Sequence, residues 1–290
     1  MNIQLSDRIK QYEKGFSKGQ RLIAKFIMEH YDRAAYMTAS KLGSTVGVSE
    51  STVVRFATEV GYTGYPQMQQ AMHEMIRNKL TTVQRLEHTS SHYGERELLD
   101  ASFNQDIDII KRTNENLSRE EFFGAIDALM NAKTIYILGA GSSLALATFV
   151  QYYFNLIFED VRMINATSEA ATVQQMIRLS DKDAVVGISF PRYSRKTVKA
   201  LSYADGKNAA TIAITDTSLS PLAQHSRYRL YAKSDMVSFV DSLVGPLSLI
   251  NALIVSVAIK KKKEVSEILT SLEVAWDEFG TYEKIDEKNS

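Results

Sequence analysis

The stretch TIYILGAGSSLALATFV, residues 134–150, decides the fold of the larger part of this chain. It begins with a short apolar run, Thr134 to Leu138, whose β-branched residues predict a buried strand. Gly139, Gly141 and two serines then form a turn, and a helical stretch from 143 to 158 follows at once. A strand that passes through a glycine turn directly into a helix is typical of a parallel α/β sheet.

Four more short apolar runs predict strands, and they alternate with helical stretches. Such alternation is typical of a parallel sheet covered on both faces. We therefore expect an α/β fold in which an all-α N-terminal domain is followed by a five-stranded parallel doubly wound α/β domain, with its ligand site at the carboxyl ends of the strands. The further strands are Val161 to Ile164, Ala184 to Ser189, Thr211 to Thr215 and Tyr228 to Tyr231, and the helical stretches are 143–158, 168–179, 195–206 and an apolar segment at 239–259, with a short turn at 219–223.

Two of these strands end in turns rich in hydroxyl groups. The first strand runs into a helix whose amino terminus offers unpaired N–H groups to an anion. In a 2-1-3-4-5 strand order the first and third strands are neighbours, so both turns face one crevice. The sequence therefore predicts a site for a phosphorylated sugar, with Arg192 as a cationic partner and Thr197 as support. Its residues are Gly141, Ser142, Ser143, Ser189, Arg192, Ser194 and Thr197.

Other interpretations of these turns stay open. Loop serines often only cap helices, and Ser194 can do so for the helix that starts at Arg195. A dinucleotide fold is disfavoured because Leu144 stands where a third small residue is needed and the second strand has no acidic residue at its end.

Two residues are candidates for acid/base chemistry. Glu169 lies near the start of a helix, where a carboxylate is also favoured by the helix dipole. His225 lies in a turn. For both we favour a structural role, so we expect no catalytic residue.

The stretch TASKLGSTVGVSESTVVRFATEVGY, residues 38–62, predicts two helices, Thr38 to Val46 and Ser49 to Val60, joined by a turn at Gly47. In the second helix Val53, Phe56, Ala57 and Val60 recur at helical spacing and point inward. The opposite face carries short hydroxyl side chains and one arginine, which suit the major groove of DNA. The predicted DNA-binding residues are Ser49, Ser51, Thr52, Arg55 and Thr58.

An ordinary helical hairpin with a solvated outer face is the alternative interpretation. The rest of the amino-terminal segment favours a compact helical domain, because Ser17 and Gln20 form a capping box before an apolar stripe of Leu22, Ile23, Phe26 and Ile27. Ser118 and Glu121 predict a second capping box further along the chain. Candidate contacts to DNA phosphates are Lys18, Arg21, Lys25 and Lys41.

Composition limits the possible functions. The chain has 290 residues, 44% of them apolar, and its net charge is zero. Residues 1–80 nevertheless carry 11 Lys and Arg against 7 Asp and Glu. Cysteine is absent, which excludes disulfides and thiolate metal sites and fits a reducing compartment. The start of the sequence does not resemble a secretory signal, and we expect the apolar run Leu243 to Ile259 to be a buried helix rather than a membrane span.

With both motifs in view, the chain resembles the RpiR-type regulators, which join a helix-turn-helix to a sugar isomerase (SIS) domain. The resemblance rests on GVSESTVVRFATEVGYTGYPQ, IYILGAGSS, GISFPRYSRKTV and AITDTSLSPLA. It implies a cytoplasmic bacterial regulator of carbohydrate genes that binds double-stranded palindromic operators as a homodimer or homotetramer, with an affinity altered by a phosphorylated sugar. We expect no cofactor, no metal and no membrane partner. The resemblance also implies that Ser142, Ser143, Ser189 and Ser194 match the phosphate-binding positions.

Two positions depart from the family pattern. The second loop reads S-F-P-R-Y-S where SIS isomerases have Ser-x-Ser-Gly-x-Thr, and Gly43 replaces a usual Ala. The changed loop argues against isomerase chemistry and is compatible with phosphate binding. Two rival hypotheses stay open: a phosphosugar isomerase with an accessory helical domain, and a SIS protein whose amino-terminal helices bind another protein. The expected segments are a helix-turn-helix domain at 1–78, a helical connector at 79–117, the SIS domain at 118–262 and a helix and tail at 263–290.

Overall fold

A computed structural model describes residues 5–69, 71–72, 83, 86, 95–165, 168–235 and 240–283. The chain divides into two compact units, Met1–His88 and Thr89–Ser290. Residues 87–94 of the predicted helical connector lie outside the described residues.

The first unit is built of helices around one apolar core. Phe16, Ile23 and Phe56 are among its buried side chains, and the rings of Phe16 and Phe56 lie 5.2 Å apart. Further helical residues follow at 65–69. The helices are α1 (Leu5–Tyr12), α2 (Lys18–Glu29), α3 (Tyr31–Ala34), α4 (Ala39–Val46) and α5 (Glu50–Glu59), with a 3-10 turn at Glu13–Gly15.

The start of α2 confirms the predicted capping box, because Gln20 N donates to Ser17 Oγ and Ser17 N donates to the Gln20 side chain. The buried stripe of α2 consists of Ile23, Ala24 and Ile27. The prediction was wrong for Leu22, which is 44% exposed. Helical spacing alone does not locate the edge of an apolar face, and Leu22 lies just beyond it.

The turn between α4 and α5 depends on two glycines. Gly47 has a φ of +77°, a left-handed conformation in which residues with a Cβ are strained. Gly43 lies where the chain folds back, and a Cβ there would lie 2.8 Å from the carbonyl oxygen of Val48. The departure from alanine at position 43 therefore has a steric reason.

The second unit begins with α6 (Glu95–Asn116) and α7 (Arg119–Asn131). Ser118 caps α7 by accepting from Glu121 N. The reciprocal half of the predicted capping box is replaced by another contact, because the Glu121 side chain accepts from the backbone N–H of Arg229 at 2.9 Å. The Glu121 carboxylate therefore makes a tertiary contact instead of the second hydrogen bond of the capping box.

The sheet has five parallel strands in the order β2-β1-β3-β4-β5, which confirms the predicted topology. Side chains of β1 alternate between two apolar cores: Ile135 and Ile137 face one, and Tyr136 and Leu138 face the other. Helices therefore cover both faces. The strands are β1 (Ile135–Gly139), β2 (Val161–Met163), β3 (Ala184–Ile188), β4 (Ala210–Thr215) and β5 (Tyr228–Tyr231).

The helices of this unit are α8 (Ser143–Phe154), α9 (Glu169–Gln175), α10 (Arg195–Gly206), α11 (Val244–Lys260) and α12 (Lys262–Phe279), with a 3-10 turn at Ala223–His225. Two helices end four residues earlier than predicted. Apolar residues such as Phe158 and Leu179 stay buried in the turns beyond these ends, so the apolar pattern does not mark where the helix stops.

The apolar segment before the lysine run is the core helix α11, with Leu249, Ile250 and Leu253 buried, as predicted. Across the described residues, no single helix combines the length and apolar character needed to cross a membrane. Within the described part of the chain, α11 and α12 taken together reach that length and composition, but they are bent by 100° relative to each other.

Candidate functional site

The first hydroxyl-rich loop links β1 to α8. Gly139 ends the strand, and a Cβ on it would lie 2.5 Å from the carbonyl oxygen of Ser143, so this glycine allows α8 to pack closely on the strand. Gly141 has a φ of +61°. Ser142 is exposed, whereas Ser143, the first residue of α8, is only 3% exposed.

The amino terminus of α8 differs from those of the other described helices that follow a serine or threonine. In those helices the N-cap side chain accepts a hydrogen bond from a backbone N–H of the first turn. Ser142 makes no such bond, although it occupies the N-cap of α8. Its hydroxyl instead donates to Asp241 Oδ2 at 3.4 Å. The amino terminus of α8, which carries the positive end of the helix dipole, therefore has no side-chain cap.

The second hydroxyl-rich loop links β3 to α10. The buried hydroxyl of Ser189 accepts from Ser194 N at 3.0 Å. Ser194 caps α10 by accepting from Thr197 N at 3.3 Å, as the alternative interpretation of this serine expected. Thr197 is 2% exposed, and Arg192 is exposed.

A contact that sequence reasoning missed fixes this loop to the next strand. Tyr193 OH donates to Asp216 Oδ1 at 2.8 Å, and Asp216 directly follows β4. Its position at the carboxyl end of a strand was the available signal, because side chains at this edge face the site in such sheets.

The two loops leave neighbouring strands at the same level. In the parallel ladder between β1 and β3, Gly139 is the register partner of Ile188. Ala140 and Ser189 are therefore the next residues along their strands, at the same edge of the sheet. The structure thus brings the backbones of the two predicted loops together, and it adds Asp241 beside the first one.

Of the two acid/base candidates, only Glu169 lies at this edge. It begins α9, after the carboxyl end of β2, and it pairs with Lys199 Nζ at 2.6 Å. His225 lies three residues before β5, at the amino edge of the parallel sheet. The histidine is therefore on the opposite edge from both serine loops.

In the first unit, the predicted recognition face lies on α5. Val53, Phe56, Ala57 and Val60 are fully buried, as predicted. The predicted DNA-binding residues are on the outer side: Ser49, Ser51, Arg55 and Thr58 are exposed and Thr52 is partly exposed.

The hydroxyl groups at the start of α5 form a cluster. Ser49 Oγ lies 2.9 Å from Ser51 Oγ and 2.8 Å from Thr52 Oγ1, and Ser49 also caps the helix. Arg55 Nε donates to the carbonyl oxygen of Ser51 at 3.3 Å. An arginine and a hydroxyl cluster thus share the exposed amino-terminal part of one helix, where recognition helices contact bases.

Among the predicted phosphate contacts, Lys18, Lys25 and Lys41 are exposed, and Arg21 donates to the carbonyl oxygen of Phe16 at 3.1 Å. Arg8 was not predicted. Its guanidinium donates to Gly61 O at 2.7 Å, after the end of α5, where a cation is favoured by the helix dipole.

Two shifted pKa values belong to structural groups rather than to the two sites. Burial raises the pKa of Tyr65 to about 12, and its hydroxyl donates to Met37 O at 2.7 Å. The Arg162 hydrogen bond lowers the pKa of Asp160, which lies at the amino edge of the sheet.

Comparisons with known proteins find a matching family for each of the two parts of the chain. Residues 3–79 match the helix-turn-helix domain of the rpiR family, and residues 128–256 match the SIS domain. An uncharacterized HTH-type transcriptional regulator of Clostridium perfringens is 25% identical over 228 residues, covering 78% of this chain and 81% of that protein.

Two solved structures share the fold. The sugar isomerase domain of an RpiR transcription factor from Sphaerobacter thermophilus has a TM-score of 0.56 and 27% identity, covering 59% of this chain and 95% of that chain. NanR of Vibrio vulnificus has a TM-score of 0.57 and 21% identity, covering 93% of this chain and 97% of that chain. With an rpiR-type helix-turn-helix before a SIS domain, the chain belongs to the RpiR-type transcriptional regulators.

Proposed function

We propose that this regulator binds operators of carbohydrate genes through α5, and that a phosphorylated sugar held between the two serine loops changes its operator affinity. The observation that carries the proposal is the amino terminus of α8, which Ser142 leaves without a cap beside the neighbouring loop of β3. Helix amino termini with nearby hydroxyl donors favour phosphate groups.

The chemistry of the loops fits a phosphate. Ser142 and Ser143 belong to the first loop, and Ser189 and Ser194 to the second, so donors reach the ligand from two sides. Arg192, exposed on the second loop, supplies a positive charge for the phosphate oxygens. The NanR structure was solved with ManNAc-6P, a phosphorylated sugar, so this fold is able to hold that class of ligand.

Asp241 is a side chain that a bound phosphate would have to displace. Its carboxylate accepts from Ser142, at the place where we expect the phosphate. Two anions in one place repel each other. Binding of a phosphorylated sugar would therefore move Asp241 and the residues next to it.

The connection between β5 and α11, which carries Asp241, forms polar contacts with α6, the first described helix after the DNA-binding unit in the sequence. Ser242 Oγ donates to Asp106 Oδ1 at 2.6 Å, and Lys233 N donates to Thr113 Oγ1 at 3.0 Å. Arg112 pairs with Asp235 at 2.8 Å. Asp106, Arg112 and Thr113 all belong to α6. We infer that a displacement of Asp241 would be passed through these contacts to α6, the first described helix after the DNA-binding unit in the sequence.

The protein would act in the cytoplasm, where its DNA is, and as a homodimer or homotetramer, since two recognition helices are needed for a palindrome. A shift in the separation of the two helices would change operator affinity.

An isomerase is the second candidate, because Glu169 lies at the correct edge of the sheet. The ion pair with Lys199 and the loss of the Ser-x-Ser-Gly-x-Thr pattern argue against it. Turnover of hexose or amino-sugar phosphates that Glu169→Gln abolishes would support the enzyme instead.

The deciding experiment is a thermal-shift screen of sugar phosphates against the parent and Ser142→Ala. We expect one compound to raise the melting temperature of the parent and to have a much smaller effect on the variant. The same compound should change the affinity for an operator obtained by selection from random duplexes. An equal thermal response of both proteins would contradict the proposed phosphate loop.

A further inference from the structure

The second loop, which departs from the family pattern, is held in its middle by a side chain of another connection. The stretch from Ser189 to Ser194 contains no glycine, unlike the family pattern. Its ends are fixed by short-range bonds, because Ser189 N donates to Ile214 O at 3.2 Å and Ser194 N donates to Ser189 Oγ at 3.0 Å. Its middle is fixed by Tyr193, whose hydroxyl donates to Asp216 Oδ1 at 2.8 Å.

Asp216 belongs to a buried polar network at the carboxyl end of β4. It is 4% exposed, and it directly follows Thr215, which is fully buried. Thr215 Oγ1 lies 3.4 Å from Asp216 Oδ1 and 2.7 Å from Ser220 Oγ. The backbone N–H of Leu222 in turn donates to Ser220 Oγ at 3.3 Å. The carboxylate that accepts the Tyr193 hydroxyl is therefore itself held in place.

The contact between Tyr193 and Asp216 is of a strong kind. A buried carboxylate destabilises a fold unless hydrogen-bond donors reach it. The Tyr193 hydroxyl is such a donor, and a hydrogen bond to a carboxylate is stronger than one between neutral groups. The bond joins residues 23 positions apart, so it fixes the loop after β3 to the end of β4.

Tyr193 lies between two residues that we assign to the phosphate. Arg192 precedes it and Ser194 follows it. Consecutive Cα atoms are only about 3.8 Å apart, so a displacement of Tyr193 moves both neighbours. A loop that is already held in its bound shape loses less conformational freedom when the ligand binds.

We propose that Tyr193 and Asp216 are positioning residues for the phosphorylated ligand: their hydrogen bond holds Arg192 and Ser194 in the arrangement that receives the phosphate group. The inference rests on the proposed function, since it requires a phosphate between the two serine loops. It gives the changed loop a way to keep a fixed shape without the glycine of the family pattern.

Binding of inorganic phosphate to the full-length protein tests this inference. Thermal unfolding is followed at increasing phosphate concentration, with sodium chloride added to keep the ionic strength constant, and the rise in melting temperature gives the affinity. We expect Tyr193→Phe, which removes only the hydroxyl, to bind phosphate roughly tenfold more weakly, the effect of one hydrogen bond to a charged group. Tyr152→Phe, at an exposed position of α8, is the matched control and should bind as the parent does.

Variants of Asp216 separate positioning from a purely structural role. Asp216→Asn keeps an acceptor for the Tyr193 hydroxyl, so its phosphate affinity should stay within about threefold of the parent. Asp216→Leu removes the acceptor and should bind as weakly as Tyr193→Phe. Combining the leucine and phenylalanine substitutions should cause no further loss, because both remove the same bond. Affinity for a random DNA duplex without phosphate should be the same in all these variants.

The outcomes distinguish this inference from the proposed function. Stabilisation by phosphate that is lost in Ser142→Ala but fully kept in Tyr193→Phe would overturn the inference and leave the phosphate site in place. A parent protein that phosphate does not stabilise would remove the site and the inference together. An Asp216→Asn protein as weak as Asp216→Leu would also overturn the inference, because the loss would then come from the charge, and so would an equal loss in Tyr152→Phe.

Discussion

The hydroxyl of Ser142 donates to Asp241 at 3.4 Å, so a carboxylate of the protein lies against the loop that we assign to the phosphate. Asp241→Asn keeps the size of the side chain and an acceptor for Ser142, and it removes the negative charge. We expect the variant to bind the sugar phosphate roughly two- to tenfold more tightly, as expected for one partly exposed like charge. Isothermal titration calorimetry measures this change.

Asp235→Asn is the matched control for Asp241→Asn, because Asp235 lies in the same connection between β5 and α11 but pairs with Arg112. Its ligand affinity should stay within about twofold of the parent, within the usual effect of a distant surface charge. Equal gains in both variants would indicate a general charge effect rather than a specific contact.

The proposed effect of the ligand on DNA affinity can be tested through Ser242 and Asp106. Ser242→Ala removes the 2.6 Å bond to α6 and leaves the serine loops unchanged. We therefore expect near-normal binding of the sugar phosphate and a reduced effect of that ligand on DNA affinity. Fluorescence anisotropy with and without ligand measures the effect. A fully retained response to the ligand would show that this bond takes no part in the coupling.

The recognition face makes a prediction about sequence preference. Arg55→Ala should reduce the preference for the operator over a random duplex by about 1–3 kcal/mol, whereas Lys41→Ala should weaken binding to both duplexes alike. Salt titrations separate the two effects, because a lost phosphate contact lowers the salt dependence. Arg178→Ala, an exposed arginine of the second unit, is the control. An Arg55→Ala protein with intact preference would show that α5 is not the recognition helix.

The tight turn of the first unit predicts an unusual effect of alanine. Helix propensity alone favours Gly43→Ala by about 1 kcal/mol. The new Cβ would lie 2.8 Å from a backbone oxygen of Val48, so we expect a net loss of roughly 1–3 kcal/mol. Gly15→Ala is the control, because nothing lies within 4 Å of a Cβ there. Urea unfolding measures both, and a stabilised Gly43→Ala protein would contradict the steric argument.

Tyr65 predicts a dependence of stability on alkaline pH. Its pKa in the folded protein is raised to about 12 by burial, above the ordinary value of 10.0. The stabilisation is therefore complete below pH 10 and is lost as the pH rises towards 12, because the unfolded chain releases the proton first. We expect Tyr65→Phe to be less stable at neutral pH, having lost the bond to Met37, and to show a smaller decrease between pH 10 and 12. Parallel curves for the two proteins would contradict this assignment.

Much of the fold could be predicted from the sequence because its signals are local. Strand-helix alternation and the β-branched runs gave the five strands, and Gly47 and Ser49 marked the turn and cap of the helix-turn-helix. The hydrogen bonds that Asp241 and Ser242 form near the proposed phosphate site are not local in sequence. Asp241 meets Ser142 across 99 positions of sequence, and Ser242 meets Asp106 across 136. No periodicity connects such pairs, so only the folded chain shows them.

The hydrogen bonds of the second loop have a consequence for what the crevice selects. Ser189 and Ser194 each accept a backbone N–H on the hydroxyl oxygen, which makes the O–H group of each serine a stronger donor. The two hydroxyl groups are therefore better placed to donate hydrogen bonds to a ligand than to accept them. The crevice would therefore favour ligand groups that only accept hydrogen bonds, such as phosphate or sulfate. It would disfavour ammonium groups, which only donate, whatever their shape.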